Sequence, residues 1–459
     1  MMTRPSRQLF DVYFSTEAMS EALGDLARLQ GMLDFEAALA RAEARVGVVP
    51  ASVVEPIVRA CRAERYDLDA LSHAVADAGN SAIPLVKALG KQVAQESTEA
   101  ERFVHFGATS QDAMDTGLVL QLRRAVALLE KDLAALGGAL AAQARRHAAT
   151  LQVGRTWLQH ATPVTLGMKF AGLLDAITRH RVRLGELAPR LFALQFGGAS
   201  GTLAALGERG AEVAAALAHE LGLALPDVPW HAQRDRIAEL GAWLGMVIGT
   251  LGKLGRDTSL LMQTEVGELF EPSAPGRGGS STMPHKRNPV GSAALLAAAT
   301  RAPGLVSTLM AALPQEHERS LGPWHAEWET LPELVSLAGG ALAHALHLVR
   351  GFEIDAGRMR ANLDITHGLV MAEAVSLALT PRVGRAEAHR LIEAASKRSV
   401  TESLPLREVL RQDATVAEQI PATELDRLLD PAAYLGQAST WIERACAAHD
   451  AVRAPQELP

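Results

Sequence analysis

The chain has 459 residues, of which 48% are hydrophobic and 21% are charged, a balance typical of globular proteins that excludes a disordered or fibrous chain. The 45 Lys and Arg residues are outnumbered by 52 Asp and Glu residues, so the net charge is −7. That charge does not favour a nucleic-acid-binding protein. Two cysteines, Cys61 and Cys446, lie far apart and indicate a reduced, cytoplasmic protein rather than a disulfide framework.

The sequence does not predict a secreted or a membrane protein. The first ten residues include Arg4 and Arg7 but lack the apolar core of a signal peptide. The longest uncharged apolar runs, 240–252 and 334–349, are shorter than the roughly 18 residues of a membrane span. We therefore expect these runs to be buried helices of a protein that does not contact a membrane.

Hydrophobic spacing predicts an all-α fold. Within residues 21–46, Leu23, Leu26, Leu29 and Leu33 recur at helical spacing, and Gly47 is expected to end that helix. Longer helices are predicted in five segments, 112–147, 163–194, 233–270, 290–313 and 324–352. Some of these are apolar on more than one face, and such a helix has to be enclosed by others. The sequence therefore predicts a long helix bundle whose outer faces are buried between subunits.

Helix length and proline content divide the chain into three predicted domains. After Phe352 the helices become shorter and are interrupted by prolines. We predict an N-terminal helical domain over 1–111, a central helix-bundle domain over 112–355 and a C-terminal helical domain over 356–459.

Three polar, glycine-rich segments interrupt the predicted helices, at 105–112, 154–167 and 272–289. The third carries hydroxyl groups and cations, including Ser280 and Lys286, immediately before a helix start. Hydroxyls, cations and main-chain N–H groups at a helix start suit a carboxylate or a developing oxyanion. A further glycine-rich stretch, 196–207, is expected to be a turn beside the bundle. No metal is expected, because no His/Cys/Asp/Glu cluster has metal-ligand spacing. No organic cofactor is expected either, since the glycine-rich stretch lacks the preceding strand of a dinucleotide-binding loop.

The stretch GSSTMPHKRNP, residues 279–289, resembles the signature of the fumarase/aspartase superfamily, which includes adenylosuccinate lyase. The segments GATSQD and GRTWLQHATP resemble the first and second conserved regions of that superfamily, in the same order. The resemblance covers the whole chain. It implies an all-α, three-domain subunit whose central five-helix bundle joins three others in a homotetramer. It also implies active sites assembled from the three regions, each supplied by a different subunit.

Further stretches, among them PWHAQRDR, LMQTEVGE and LPQEHERSLGPWHAEW, resemble the branch of the superfamily that lactonises 3-carboxy-cis,cis-muconate. This tricarboxylate belongs to the protocatechuate branch of the β-ketoadipate pathway. Two differences from the lyase sequences agree with the resemblance to this lactonising branch. Trp157 stands where lyases have an acid–base histidine, and residues 79–82 replace the Thr-Arg-His-Asp of adenylosuccinate lyase. An indole cannot exchange protons near neutral pH. Lactonisation does not need that histidine, because its nucleophile is the ionised carboxylate of the substrate.

The resemblance implies roles for individual residues. Ser280, as proton donor or oxyanion contact, and Lys286, on a substrate carboxylate, are the expected catalytic residues. The expected substrate-binding residues are Thr109, Ser110, Trp157, His160, Ser281, Asn288 and Arg319. His105, His285 and Arg155 are left without a role.

Structural explanations remain open for the same residues. Ser280 could cap the loop, and Thr109 and Ser110 could cap the following helix. Trp157 could be a core residue, and Arg319 could form a salt bridge between subunits. At the level of function, the alternatives are an adenylosuccinate-type lyase and a non-enzymatic structural relative, as certain lens crystallins are.

Overall fold

The computed structural model describes residues 9–452, and most of that stretch is helical, which confirms the all-α class. The helices before the first long one are α1 (Asp11–Phe14), α2 (Glu17–Leu23), α3 (Asp25–Val46), α4 (Val54–Ala60), α5 (Leu68–Ala78), α6 (Ala82–Ala94) and α7 (Thr98–Glu101). The single helix predicted over 21–46 was wrong, because the extended backbone of Gly24 separates α2 from α3. Gly47 ends α3 as predicted. Its φ of 81° lies in the left-handed region that glycine adopts without a steric cost.

Each of the five long segments contains a long helix, with ends that differ from the predicted ones. The largest difference is in 233–270, where the helix ends at Leu261 and residues 269–270 form a strand. The central helices are α8 (Ser110–Arg146), α9 (Leu166–Leu191), α10 (Gly210–Leu221), α11 (Asp235–Leu261), α12 (Val290–Ala311) and α13 (Pro323–Gly351). Of these, α8 packs against α9 and α13, whereas α11 packs against α9, α12 and α13. The five long helices therefore form one bundle, and α10 packs outside it against α3.

The remaining helices follow the bundle in the sequence. They are α14 (Ala356–Asp364), α15 (Ala372–Val383), α16 (Arg385–Glu402), α17 (Leu406–Gln412), α18 (Ala414–Gln419), α19 (Ala422–Leu428) and α20 (Ala438–Ala451). Short 3-10 turns occur at Ala51–Val53, Ala63–Arg65, Ala204–Arg209, Leu369–Met371 and Pro431–Ala433.

Two small antiparallel sheets accompany the helices. Strands β1 (Leu151–Thr156) and β2 (Gln159–Thr165) form a hairpin between α8 and α9, and β3 (Leu269–Phe270) pairs with β4 (Glu353–Ile354). Because Thr156 pairs with Gln159, the hairpin turns on two residues, Trp157 and Leu158. Both have positive φ, 53° and 63°, a turn conformation that normally selects Asn or Gly.

Apolar side chains form two separate cores. The larger core joins the bundle to the N-terminal helices, and the smaller one is built from residues 363–429 together with Val153 of the hairpin. The last helix, α20, contributes Ile442 and Cys446 to the larger core and packs on α8 and α9. Gly137 permits this contact, since a Cβ there would lie 2.3 Å from the His449 ring. The predicted division of the chain at residues 111 and 355 stays a prediction.

Three helices in the described part of the chain, α11, α12 and α13, are long and apolar enough to cross a membrane by length and composition. A fourth candidate arises only if α14 and the bent segment after it are counted together. The expectation that 240–252 and 334–349 are too short for a membrane span was therefore wrong in its reason. Each run is only the uncharged part of a longer helix, α11 or α13. In α11 and α13, 61% of the apolar window is buried inside the subunit, against 28% in α12.

Candidate active site

The first conserved region forms the start of α8. The helix begins at Ser110, with Thr109 as its N-cap residue in extended conformation. The side chain of Asp112 folds back and accepts the main-chain N–H of Thr109 at 3.0 Å. Thr109 and Ser110 therefore stand at a helix start, as the sequence predicted, and the N-terminal dipole of α8 favours negative charge there.

Asp112 is completely buried, and its carboxylate accepts four hydrogen bonds besides that of Thr109. The donors come from two distant loops: Gln195, Gly197 and Gly198 from the first, and His231 from the second. Sequence reasoning missed this centre. The signal that could have found it is the spacing Thr-x-x-Asp at the start of a predicted helix, which is typical of a capping box.

One turn further along α8, Asp115 is part of a second buried network. Arg234 donates to both oxygens of Asp115, at 2.7 and 3.0 Å, and to Glu327 in α13 at 2.6 Å. All three side chains are almost fully buried. This network ties the start of α8 to the start of α13, and the loop that carries Arg319 lies immediately before α13.

Arg319 reaches the first region within the same subunit. Its Nη2 donates to the Thr109 hydroxyl at 3.0 Å and to the Ala199 carbonyl at 3.1 Å. Its Nε is buried and has no hydrogen-bond partner among the described residues. A buried N–H without an acceptor is costly. A substrate carboxylate could remove this cost by accepting that hydrogen bond.

His105 lies just before this helix start, in a strained backbone conformation with φ 59°. Its Nδ1 is 2.6 Å from a carboxylate oxygen of Glu36, which is almost fully buried. Burial alone would lower the pKa of His105, but the charge and hydrogen bond of Glu36 outweigh it and raise the pKa. The Glu36 carboxylate thus holds the imidazole in place four residues before Thr109.

The second region forms the hairpin. The Trp157 side chain is 97% exposed at its tip, so it is not a core residue of the subunit and lines no site within it. Arg155 donates to both carboxylate oxygens of the buried Glu268, which also accepts from Gln152 and Asn362. Burial would raise the pKa of Glu268, but these hydrogen bonds more than compensate and lower it. Arg155 therefore fixes the hairpin.

His160 lies on β2, paired with Arg155 across the hairpin. Its Nδ1 is buried and finds no partner in the described chain. Burial, assisted by the charge of Arg155, lowers the pKa of His160, so the ring is neutral near pH 7. A neutral imidazole can either accept or donate a hydrogen bond.

The third region is the loop between β3 and α12. The Ser280 hydroxyl accepts the main-chain N–H of Met283 at 3.0 Å, and the Asn288 amide donates to the Gly279 carbonyl at 3.2 Å. Lys286 and Ser281 are exposed. The helix start itself is occupied by Glu271, which accepts the N–H groups of Gly291 and Ser292. The expected anion at this helix start is thus supplied by the protein.

The structure brings Thr109, Ser110 and Arg319 together, and it places the other predicted residues in two further groups. Trp157 and His160 lie on the hairpin, whereas Ser280, Ser281, Lys286 and Asn288 lie on the loop. Within residues 9–452, no hydrogen bond or ion pair connects one of the three conserved regions to another. In the same range no group of three or more His, Cys, Asp or Glu residues is placed to hold a metal ion.

The chain is similar over its whole length to known proteins. A model of a lyase family matches residues 12–304, and one for the adenylosuccinate lyase C-terminus matches residues 368–445. The 3-carboxy-cis,cis-muconate cycloisomerase of Pseudomonas aeruginosa is 69% identical over 448 residues, which are 98% of each chain.

Solved structures agree with this similarity. The crystal structure of 3-carboxy-cis,cis-muconate lactonizing enzyme from Pseudomonas putida has a TM-score of 0.92 and 63% identity, covering 97% of this chain and 99% of that chain. The beta-carboxy-cis,cis-muconate cycloisomerase from Acinetobacter calcoaceticus has a TM-score of 0.90 and 41% identity, covering 95% and 99%.

Proposed function

Since this chain belongs to the lyase family of the fumarase/aspartase superfamily, we propose that it lactonises 3-carboxy-cis,cis-muconate to a carboxymuconolactone. The observation that carries the proposal is the 69% identity to a cycloisomerase over 98% of both chains. The exposed Trp157 supports it, because a lyase needs an acid–base histidine at that position and this reaction does not.

The reaction requires little acid–base chemistry. A carboxylate oxygen of the substrate forms a C–O bond to a carbon of a C=C bond in the same molecule. The π electrons move to the neighbouring carbon, which takes up one proton. As fully protonated acids the substrate and the lactone are isomers; from the ionised substrate the reaction takes up one proton and consumes nothing else. The enzyme therefore has to hold three carboxylates in a reactive arrangement, stabilise the charge that develops and supply one proton.

The three groups of residues divide these tasks. Arg319 pairs with one substrate carboxylate through its half-buried guanidinium, beside the Thr109 hydroxyl and the N–H groups at the start of α8. Lys286 and Asn288 bind a second carboxylate, and Ser280 donates the proton or contacts the developing oxyanion. Trp157 is a flat wall that orients the substrate, with His160 beside it. Ser110 and Ser281 supply further hydroxyl contacts.

These groups form one site when subunits associate, and the proposed assembly is a homotetramer. The hairpin presents a fully exposed tryptophan on a strained turn, and large exposed apolar groups mark interaction surfaces. In addition, the apolar α12 is largely uncovered in the single subunit. Neighbouring subunits would cover this helix and receive the hairpin. We also propose that the assembled protein is soluble and cytoplasmic.

An absorbance assay tests the proposed function. The purified protein is mixed in turn with 3-carboxy-cis,cis-muconate, adenylosuccinate and argininosuccinate. Loss of the diene absorbance with the first compound alone is the expected result. Turnover of either succinate compound instead would favour a lyase, and no reaction with any of the three would favour a structural relative.

A further inference from the structure

Asp112 connects three separate parts of the chain through one carboxylate. Its Oδ2 accepts the N–H groups of Thr109 and Gly198, at 3.0 and 2.9 Å. Its Oδ1 accepts from Gly197, Gln195 and His231, at 3.0, 3.1 and 2.7 Å. The carboxylate is fully buried, so it does not touch a substrate. Its effect on a reaction has to act through the groups that it holds.

Two of the segments that Asp112 binds contain the hydrogen-bond acceptors of Arg319. One acceptor is the hydroxyl of Thr109, whose N–H is bound by Asp112. The other is the carbonyl of Ala199, the residue directly after Gly198. The guanidinium is therefore positioned by two residues from different parts of the chain. Asp112 binds the main chain of the first, Thr109, and of Gly198, the neighbour of the second.

The loop around Gly197 and Gly198 lies so close to its neighbours that a side chain at either position would meet them. A Cβ on Gly197 would lie 2.8 Å from Pro229 and 2.9 Å from His231, and one on Gly198 would lie 3.0 Å from the Gly107 carbonyl. Gly198 also has a φ of +67°, which other residues rarely adopt. The loop thus packs closely on the turn that precedes Thr109. The carboxylate of Asp112 accepts hydrogen bonds from the main-chain N–H groups of both segments.

We infer that Asp112 is a positioning residue for substrate binding, which sets the place of Arg319 by holding Thr109 and the 197–199 loop. This inference deepens the proposed function and rests on it. No neutral side chain can replace the carboxylate. An asparagine offers one acceptor oxygen, and its NH₂ group would then face two or three of the same N–H donors. The turn and the loop would separate, and Arg319 would lose its fixed position.

The test is a double-mutant cycle on kcat/KM with 3-carboxy-cis,cis-muconate, using the full chain. Asp112→Asn is expected to lower kcat/KM by about 10²-fold, the size of effect that a displacement of about 1 Å in an active site produces. In an Arg319→Met background the same change should cost less than about threefold, because the group that Asp112 positions is already absent. In a Lys286→Met background, Asp112→Asn should still lower kcat/KM by the full factor of about 10², because Arg319 is present there.

Glu130→Gln is the matched control. Glu130 is a largely buried carboxylate on the same helix, paired with Arg181 at 2.7 Å, and lies about 27 Å further along at 1.5 Å per residue. This variant should lose thermal stability while kcat/KM changes by less than about twofold. If Asp112→Asn does not fold, His231→Leu removes one donor from the same carboxylate. It is expected to give a smaller loss with the same dependence on Arg319.

The possible results are distinct. Equal losses from Asp112→Asn with and without Arg319 would overturn the inference, as would an unchanged kcat/KM in the folded variant. The proposed function has its own readout, namely turnover by the unmodified protein. If that turnover is absent, the same double-mutant cycle is measured on binding affinity. The affinity of each variant for citrate, a tricarboxylate that this reaction cannot convert, is then determined by calorimetric titration. Additive losses of citrate affinity would then reject the role of Asp112.

Discussion

The Ser280 hydroxyl accepts structural hydrogen bonds through its oxygen and still has its O–H available as a donor. Its oxygen accepts the N–H groups of Met283 and Thr282, at 3.0 and 3.4 Å, which closes a turn in the loop. Its own O–H is not used by these two contacts and can point toward a substrate. The capping role and the catalytic role that the sequence left open are therefore compatible with each other.

Ser280→Ala is expected to lower turnover by about 10²-fold or more, the scale at which a proton donor or oxyanion contact acts. Steady-state kinetics, with circular dichroism to compare folding, measures it. Ser280→Thr is the control, since it keeps the oxygen that closes the turn together with its proton. If the alanine variant is as active as the unmodified protein, Ser280 has only the structural role.

Glu43 shows how a buried acid affects stability away from the site. It is fully buried in α3, and neither carboxylate oxygen has a hydrogen-bond partner among the described residues. Burial, assisted by the negative charge of Glu36, raises the pKa of Glu43 from 4.5 to about 9. Near pH 7 the folded protein holds this proton and the unfolded chain does not.

Stability should therefore fall as the pH rises from about 4.5 to about 9, because the unfolded state releases a proton that the folded state retains. Glu43→Gln removes the ionisation. The unfolding temperature of this variant, relative to the unmodified protein, should rise steadily across that pH range. Glu64→Gln, at an exposed position, should leave the pH profile unchanged. Parallel profiles for Glu43→Gln and the unmodified protein would contradict this explanation.

At the scale of elements, the sequence predicted the helices well and their contacts poorly. The five long helices follow from apolar spacing, which is local information. The break at Gly24 was missed because the leucines around it keep their helical spacing. The hairpin was missed because its turn residues, Trp157 and Leu158, are not turn formers. It is held instead by contacts that are distant in the sequence, namely those of Gln152 and Arg155 with Glu268 and the packing of Val153 in the smaller core.

The site shows the same division. Thr109, Ser280 and Lys286 could be proposed as site residues because each lies in a short contiguous motif, GATSQD for the first and GSSTMPHKRNP for the other two. Asp112 lies in a motif as well, but its role depends on Gly197 and His231, which are distant in the sequence. No single-sequence pattern reports such contacts. Arg319 was predicted as a carboxylate ligand, and its contact with Thr109 is a property of the fold alone.

The loop over 272–289 is expected to become ordered when a tricarboxylate binds. Its hydrogen bonds are made mostly within the loop itself or to Glu271 and Glu353. Because its cation Lys286 is exposed, an anion can draw the loop over the site and exclude water. Without a ligand, limited proteolysis should cut this loop before any other part of 112–352. Carboxymuconolactone should slow that cleavage, while acetate at equal ionic strength should not. Equal cleavage rates in the presence of both would argue against a closing loop.

At the scale of the whole molecule, the separation of the conserved regions predicts complementation between subunits. Ser280→Ala and Thr109→Ala chains should each have little activity. After they are unfolded and refolded together, mixed tetramers should contain some sites with neither change, and part of the activity should return. Light scattering should show one tetrameric species for the unmodified protein. A fully active monomer, or a mixture with no regained activity, would show that each site lies within one subunit.

The return of α20 to the bundle has a consequence for how the end of the chain unfolds. Residues 352–437 leave the bundle after α13 and come back to it at α20, which packs on α8 and α9. The segment that builds the smaller apolar core is therefore attached to the bundle at both of its ends. If it unfolds while the bundle stays intact, its ends cannot move apart, and the conformational entropy that it gains is reduced by the closure term. The bundle thus stabilises this part of the chain by restricting its unfolded state.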